Sequence, residues 1–237
     1  MIGTALLKHL SCVGELSDED AAAVESVKGE VRAVDRHRDV LKAGQRPRHS
    51  VVVLAGFVAR YSIGTEGKRQ FHSFYMPTDA PCLEALHIDY MDNNLGALVD
   101  SQVGLIQLEA LYDLMSERPK VLSLIWRATL IQAAIFREWL LRNSTLPAHS
   151  AMAHLFCEIF VRAKAADLVD GNTCDLPVTQ EVLGEALGLT AVHVNRTLQV
   201  LRRGDLVDLK NGKLIVIDFD RLAEIGAFDP KYLHLRS

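Results

Sequence analysis

Val178-Thr-Gln-Glu-Val-Leu-Gly-Glu-Ala-Leu-Gly-Leu-Thr-Ala-Val-His-Val-Asn-Arg-Thr-Leu-Gln-Val-Leu-Arg-Arg203 reads as two short helices joined by a tight turn. Thr179 is placed to cap the first, and Val182, Leu183, Ala186 and Leu187 give it an apolar stripe at helical spacing. Gly188 suits the left-handed conformation that ends a helix. Thr190 caps again, and Val194, Leu198 and Leu201 form the inner stripe of the second helix. Gly184 is small where the two helices would cross closely. The second helix shows His193, Asn195, Arg196 and Gln199 on its outer face, the pattern of a helix-turn-helix. Two apolar runs follow, Leu206-Val-Asp-Leu209 and Leu214-Ile-Val-Ile217, with Asn211-Gly212 between them. That dipeptide is a strong hairpin signal, so a β-wing completes a winged helix-turn-helix.

The rest of the chain is organised around that end. Residues 4–27 look helical, with Leu6, Leu7, Leu10 and Val13 on one face and Ser17-Asp-Glu-Asp20 opening a second helix. Between about 30 and 110 the pattern changes to short β runs: 51–54, 56–61, 70–75 and 103–108, broken by Gly64-Thr-Glu-Gly67 and Met76-Pro-Thr-Asp79. Such spacing indicates a small β sandwich or barrel. From Pro119 to Arg142 the period is helical again, roughly 36 Å long at about 1.5 Å per residue. Leu124, Ala128, Ile131 and Ile135, in line with Val121, step by three and four as a coiled-coil seam. Leu122, Ile125, Thr129, Phe136 and Trp139 form a neighbouring stripe. A helix apolar over so much of its circumference is covered on two sides. One face is expected on its own β domain and the other on a second copy, with the Leu124–Ile135 seam assigned to the dimer. Asn143-Ser-Thr-Leu-Pro147 is the expected hinge, a further helix runs from about 148 to 166, and Asp170-Gly-Asn172 breaks the chain before the helix pair.

Bulk composition excludes several classes. The 237 residues are 49% hydrophobic and 24% charged, ordinary for a soluble protein with two modest domains. No run of about 18 apolar residues is present, and Lys8 and His9 interrupt the N-terminal apolar stretch too early for a signal peptide. A cytoplasmic location is expected, without membrane association. Cys12, Cys82, Cys157 and Cys174 are scattered, as reduced thiols are. The net charge of -4 is uneven. Residues 188–203 hold Arg196, Arg202 and Arg203 and no carboxylate, whereas residues 70–117 hold eight carboxylates and no Lys or Arg. This places double-stranded DNA at the C-terminal end and argues against an anionic ligand in the N-terminal half.

The 176–198 segment, Leu176-Pro-Val-Thr through Asn195-Arg-Thr-Leu198, resembles the helix-turn-helix signature of the Crp/Fnr family of bacterial transcription regulators. Ile135-Phe-Arg-Glu-Trp139 and Met152-Ala-His-Leu-Phe-Cys-Glu158 are more loosely similar to certain members. The resemblance implies an α+β protein. It would have an antiparallel, jelly-roll-like β-roll sensor domain (1–117), a long dimerisation helix with its hinge (118–145) and a winged helix-turn-helix (146–237). It also implies a homodimeric, sequence-specific regulator, with RNA polymerase as a further partner if it activates. In the family a Glu and an Arg one turn apart read bases. Arg196 matches the Arg, while Val192 stands at the Glu position and Ala191 at the preceding basic one. Arg196 is suited to a bidentate guanine contact, and Val192 and Ala191 only to a thymine methyl or to no base contact at all. His193, Asn195, Gln199 and Arg203 are further candidates, and Thr179 and Thr190 would aim helix-start amides at phosphates.

For an effector, the family's cyclic-nucleotide chemistry needs an Arg about ten residues after a Gly-Glu. The matching region, Pro81-Cys-Leu-Glu-Ala-Leu86 and then Met91-Asp-Asn-Asn-Leu95, offers Glu84 but no cation. Iron-sulfur sensing needs clustered N-terminal cysteines, and only Cys12 is there. Neither cofactor nor metal is expected, and the effector is open. Gly64-Thr-Glu-Gly-Lys68 is two residues short of a P-loop and lies between strands. His154 and Glu158, with His149 earlier, share a helix face but lack further metal ligands. Cys174 has no flanking cation to make it reactive. With no catalytic constellation, the alternatives are a metabolite-binding or enzymatic β domain tethered to DNA, and a non-specific nucleoid protein.

Overall fold

Ser17 starts a helix as its capping pattern requires, its hydroxyl accepting the Asp20 amide at 3.2 Å. This helix, α2 (Asp18–Glu25), packs against α1 (Ile2–Val13) in the computed structural model, which describes residues 1–236. A Cβ at Gly3 would lie 2.1 Å from the Glu25 carbonyl oxygen, so only glycine permits that approach.

The period-two runs that follow become strands β1 (Glu30–Val34), β2 (Asp39–Leu41), β3 (His49–Ala55), β4 (Val58–Ile63), β5 (Arg69–Tyr75), β6 (Asn94–Ala97) and β7 (Ser101–Gln107). They form two sheets, ordered β1-β7-β3 and β2-β6-β4-β5. The β1–β7, β7–β3, β2–β6 and β6–β4 pairings are antiparallel. Val51 and Val53 of β3, Val58 of β4, Leu95 of β6, and Val103 and Leu105 of β7 share one core cluster with Tyr75 and Met91. This is the antiparallel β-roll expected of the N-terminal half. A short helix that the periodicity did not reveal, α3 (Leu108–Glu117), leads into α4 (Pro119–Thr145).

Two compact units emerge. One comprises Met1–Ser62 and Ser73–Ala133 with the tail from His234; the other comprises Ile63–His72 and Ala134–Leu233. The division therefore falls inside α4, whereas the sequence reading set boundaries on either side of that helix.

The seam assigned to the dimer needs correcting. Leu124, Ala128, Ile131 and Ile135 are all buried within the single chain. The exposed apolar positions of α4 are Leu122, Trp126 (64%) and Leu130 (57%), four residues apart, and beyond them Leu140 and Leu141. The neighbouring stripe read from the sequence is not this exposed row either: Ile125 and Trp139 are buried, and only Leu122 belongs to both. The regular aliphatic seam packs inside the protomer.

In the second unit α4 ends at Thr145, and α5 (Ala148–Ala165) begins after Pro147. Asp170–Asn172 is not a simple break: it turns a hairpin between β8 (Val169–Asp170) and β9 (Thr173–Asp175), with Gly171 at φ 60°. The anticipated helices are α6 (Gln180–Leu187) and α7 (Ala191–Arg203). The wing is β10 (Val207–Lys210) and β11 (Lys213–Val216), joined through Asn211 and Gly212 at φ 53° and 72°. Positive φ at both central residues fits the hairpin turn that Asn-Gly favours. The four strands lie in the order β10-β11-β9-β8, and Cys174 faces Leu214 across the β9–β11 pair. α8 (Phe219–Ile225) and a 3₁₀ turn at Pro230–Leu233 close the unit.

α5 is buried along most of its length, Phe156, Ile159 and Leu155 completely. Within that apolar setting Glu158, fully buried, accepts the Trp139 indole N–H at 3.0–3.1 Å, the Tyr232 hydroxyl at 2.8 Å and Arg162 Nη1 at 3.3 Å. Arg142, equally buried, lies 3.7 Å from the same carboxylate and 4.1 Å over the Trp139 ring. His154 Nδ1 faces the Gly226 carbonyl at 3.0 Å and Nε2 faces the Tyr232 hydroxyl at 3.2 Å. Burial and then Arg142 hold its pKa below the ordinary histidine value, so it is neutral. His154 and Glu158 thus each have protein hydrogen-bond partners. Glu158→Ala leaves Arg142 without its counter-charge and should destabilise the protein by about 3–5 kcal/mol. Urea unfolding followed by tryptophan fluorescence checks this, and an unchanged midpoint would show that the network is energetically idle.

Candidate nucleic-acid interface

The interface is built on two capped helices. The Thr179 hydroxyl accepts the Val182 amide at 3.2 Å, and the Thr190 hydroxyl accepts the His193 amide at 3.3 Å. Gly188 closes α6 in the left-handed conformation at φ 67°. A Cβ at Gly184 would stand 2.5 Å from the Leu189 carbonyl oxygen, which is why this helix carries glycine where the turn folds back. Val194, Leu198 and Leu201 are buried beneath α7 as the inner stripe.

The outer face of α7 carries Val192, His193, Asn195, Arg196, Val200 and Arg203 exposed, with Ala191 and Gln199 half-buried. Every α7 residue proposed from the sequence thus lies outside the inner stripe. Arg196 and Arg203 have no ion-pair or side-chain hydrogen-bond partner among the described residues, so their guanidinium groups face solvent uncommitted. Arg202 is different: it pairs with Asp208 at 2.8 Å and donates to the Leu209 carbonyl, which ties α7 to the wing. Of the three arginines read as a basic patch, one is structural. Thr197 also turns inward, its hydroxyl donating to the His193 carbonyl at 2.8 Å.

Three residues missing from the sequence reading join this face. Gln180, the first residue of α6, accepts from Asn195 Nδ2 at 3.4 Å, which places two amides side by side. His149, at the start of α5, borders a groove of about 600 Å³ shared with Thr190, Val192, His193, Arg196 and Val200. Lys210 is exposed at the wing turn, while Lys213 is held by Asp175 at 2.8 Å. Gln180 was accessible from its place behind the cap; His149 was not, because its position depends on how α5 packs on α7.

The N-terminal unit modifies one expectation. A cation does reach Glu84, from β4 rather than from nearby in sequence: Arg60 donates to the Glu84 carboxylate and to the Pro81 carbonyl. Arg60 is 4% exposed. Burial opposes its charge, but Tyr75 and Glu84 outweigh that, and its pKa lies above the ordinary value. The neighbouring Cys82 thiol is pushed up to about 12, first by burial and then by Glu84. Burial likewise holds Cys174 and Cys157 near 12, so these thiols stay protonated. Among the described residues no group of three His, Cys, Asp or Glu side chains is placed to hold a metal, and no helix is long and apolar enough to cross a membrane.

These features agree with the relatives. A family model described as a Crp-like helix-turn-helix domain matches residues 150–225. The chain is 26% identical over 234 residues to the transcriptional activator protein FnrL of Cereibacter sphaeroides, covering 96% of this chain and 92% of that protein. It is 21% identical to the fumarate and nitrate reduction regulatory protein of Vibrio cholerae, over 89% of this chain and 84% of the other. FixK2 from Bradyrhizobium japonicum shares the fold, with a TM-score of 0.73 at 19% identity, covering 85% of this chain and 98% of that one. Residues 150–225 thus match a Crp-like helix-turn-helix domain, and over almost its whole length the chain is similar to transcription regulators of the Fnr type.

Proposed function

We propose that the protein acts as a homodimer that binds a two-fold-related DNA site through α7 and regulates transcription there. RNA polymerase is the further partner where it activates. The observation that carries this is the uncommitted Arg196 on the exposed face of a helix fixed by two capped turns. A guanidinium held there suits the O6 and N7 acceptors of guanine in the major groove. Thr179 and Thr190 order the helix-start amides that phosphates accept. Asn195 with Gln180, His193, Gln199 and Arg203 supply further polar contacts. Ala for Arg196 should cost about 1–3 kcal/mol and relax preference at one guanine per half-site. Footprinting and fluorescence anisotropy on a site selected from random DNA measure both. An Ala variant with undiminished affinity and specificity would remove Arg196 from the interface.

The dimer is assigned to the exposed stripe Leu122, Trp126 and Leu130, which borders a groove of about 480 Å³ along α4. A second copy fits best, because a two-fold axis beside this helix lays each stripe against its own image. It also takes the exposed Trp126 indole out of water. Half-sites about one helical turn apart follow from that symmetry. Leu130→Asp should halve the mass seen by light scattering while leaving the fold intact. Ile131→Asp should instead disrupt folding, since Ile131 faces the protomer's own core. A Leu130→Asp protein that stays dimeric would place the interface elsewhere.

The N-terminal unit senses a signal other than a cyclic nucleotide. Arg60 is neutralised by Glu84 and nearly inaccessible, so a cyclic phosphate would have to break a buried ion pair to gain its cation. Calorimetry with cyclic AMP and cyclic GMP should give no saturable heat at micromolar concentration. Binding coupled to a rise in DNA affinity would reverse this reading.

A further inference from the structure

We infer that Val192 reads the C5 methyl of a thymine next to the guanine read by Arg196, so that the half-site carries a T·A pair there. This rests on the DNA-binding reading and narrows it to a base. Side chains four apart on a helix stand one above the other. Val192, Arg196 and Val200 are therefore one ridge of α7, and all three border the same groove. Val192 is 64% exposed and Val200 56%. Neither completes the core, because Val194, Leu198 and Leu201 already fill the inner stripe. Helix propensity does not account for them either, since a β-branched residue on a solvated face is a poorer helix former than Ala, Glu or Lys.

The first turn of such a helix comes nearest the base edges. A valine there can satisfy no hydrogen-bonding group. Set against the polar edge of guanine, cytosine or adenine, it would strip water from donors or acceptors and return nothing. Thymine alone among the four presents a methyl in the major groove. With no carboxylate between residues 188 and 203, no acidic side chain on α7 competes by accepting from a cytosine amino group. Arg196, one turn further on, fixes the neighbouring base pair.

The test uses the full chain and a site selected from random DNA. Each thymine of the half-site is replaced singly by deoxyuridine, which removes only the methyl. One position should lose affinity about fourfold, and about fifteenfold when both half-sites are changed. Val192→Ala, at an exposed position that leaves the fold intact by circular dichroism, should bind the thymine and deoxyuridine sites equally. Val192→Glu should move the preference at that pair to cytosine. The inference is overturned if every deoxyuridine site binds within twofold of the parent. It is also overturned if the Ala variant still discriminates, or loses affinity equally for all DNA. Selection that recovers no preferred sequence would instead bring down the DNA-binding reading together with this one, which separates the two failures.

Discussion

The carboxylate of Glu158 is the point on which the C-terminal unit depends. It sits in a fully buried stretch of α5 and is the shared acceptor for Trp139 from the end of α4, Arg162 from its own helix and Tyr232 from the last turn. Arg142 adds a second positive charge without hydrogen-bonding the carboxylate, and its guanidinium lies over the Trp139 ring. A lone buried carboxylate is expensive, and two cations with two neutral donors compensate it. The same geometry binds three separated segments, around residues 139–142, 154–162 and 226–232, into one body. α7 packs on α5, so the exposed face of α7 is carried by that body.

This arrangement explains where the compact units divide. The last dozen residues of α4 belong to the C-terminal unit: Trp139 donates to Glu158, Arg142 lies beside the same carboxylate, and Asn143 donates to the Ala186 carbonyl of α6 at 2.8 Å. The linker at Leu146–Pro147 lies between two helices of the same unit and is not the place where that unit ends. From sequence alone, the polar run 143–147 looks like a hinge because polar and proline residues collect in loops. Only the side chains on either side of it reveal that it is bridged.

Much of the fold was legible because local chemistry dictated it. Thr179, Gly188, Thr190 and Asn211-Gly212 each fix a backbone conformation with little help from distant residues, and all four sit where their chemistry requires. What stayed hidden depended on distance. Which positions of α4 meet the protomer's own core is decided by packing against elements far away in sequence, so the exposed row Leu122, Trp126 and Leu130 was not singled out. Arg60 lies 24 residues before Glu84 and reaches it only because β4 runs beside the turn that carries Glu84. The β8–β9 hairpin was missed because a two-residue strand has too few residues to show alternation.

The same distinction resolves the apparent conflict between a net charge of -4 and a DNA-binding face. Net charge counts every ionised group, but the groups that meet a partner are those left unpaired on one surface. In the C-terminal unit Arg142 and Arg162 are buried against Glu158, Arg202 is used to hold the wing, and Lys213 is held by Asp175. On α7 and the wing, Arg196, Arg203 and Lys210 remain facing outward, and no residue of α7 carries a negative charge to oppose them. So small a set of cations supplies modest non-specific attraction. On the DNA-binding reading proposed above, discrimination falls to the side chains of the first turns of α7, where the shape and polarity of each residue decide which base edge can approach without losing its hydrogen bonds.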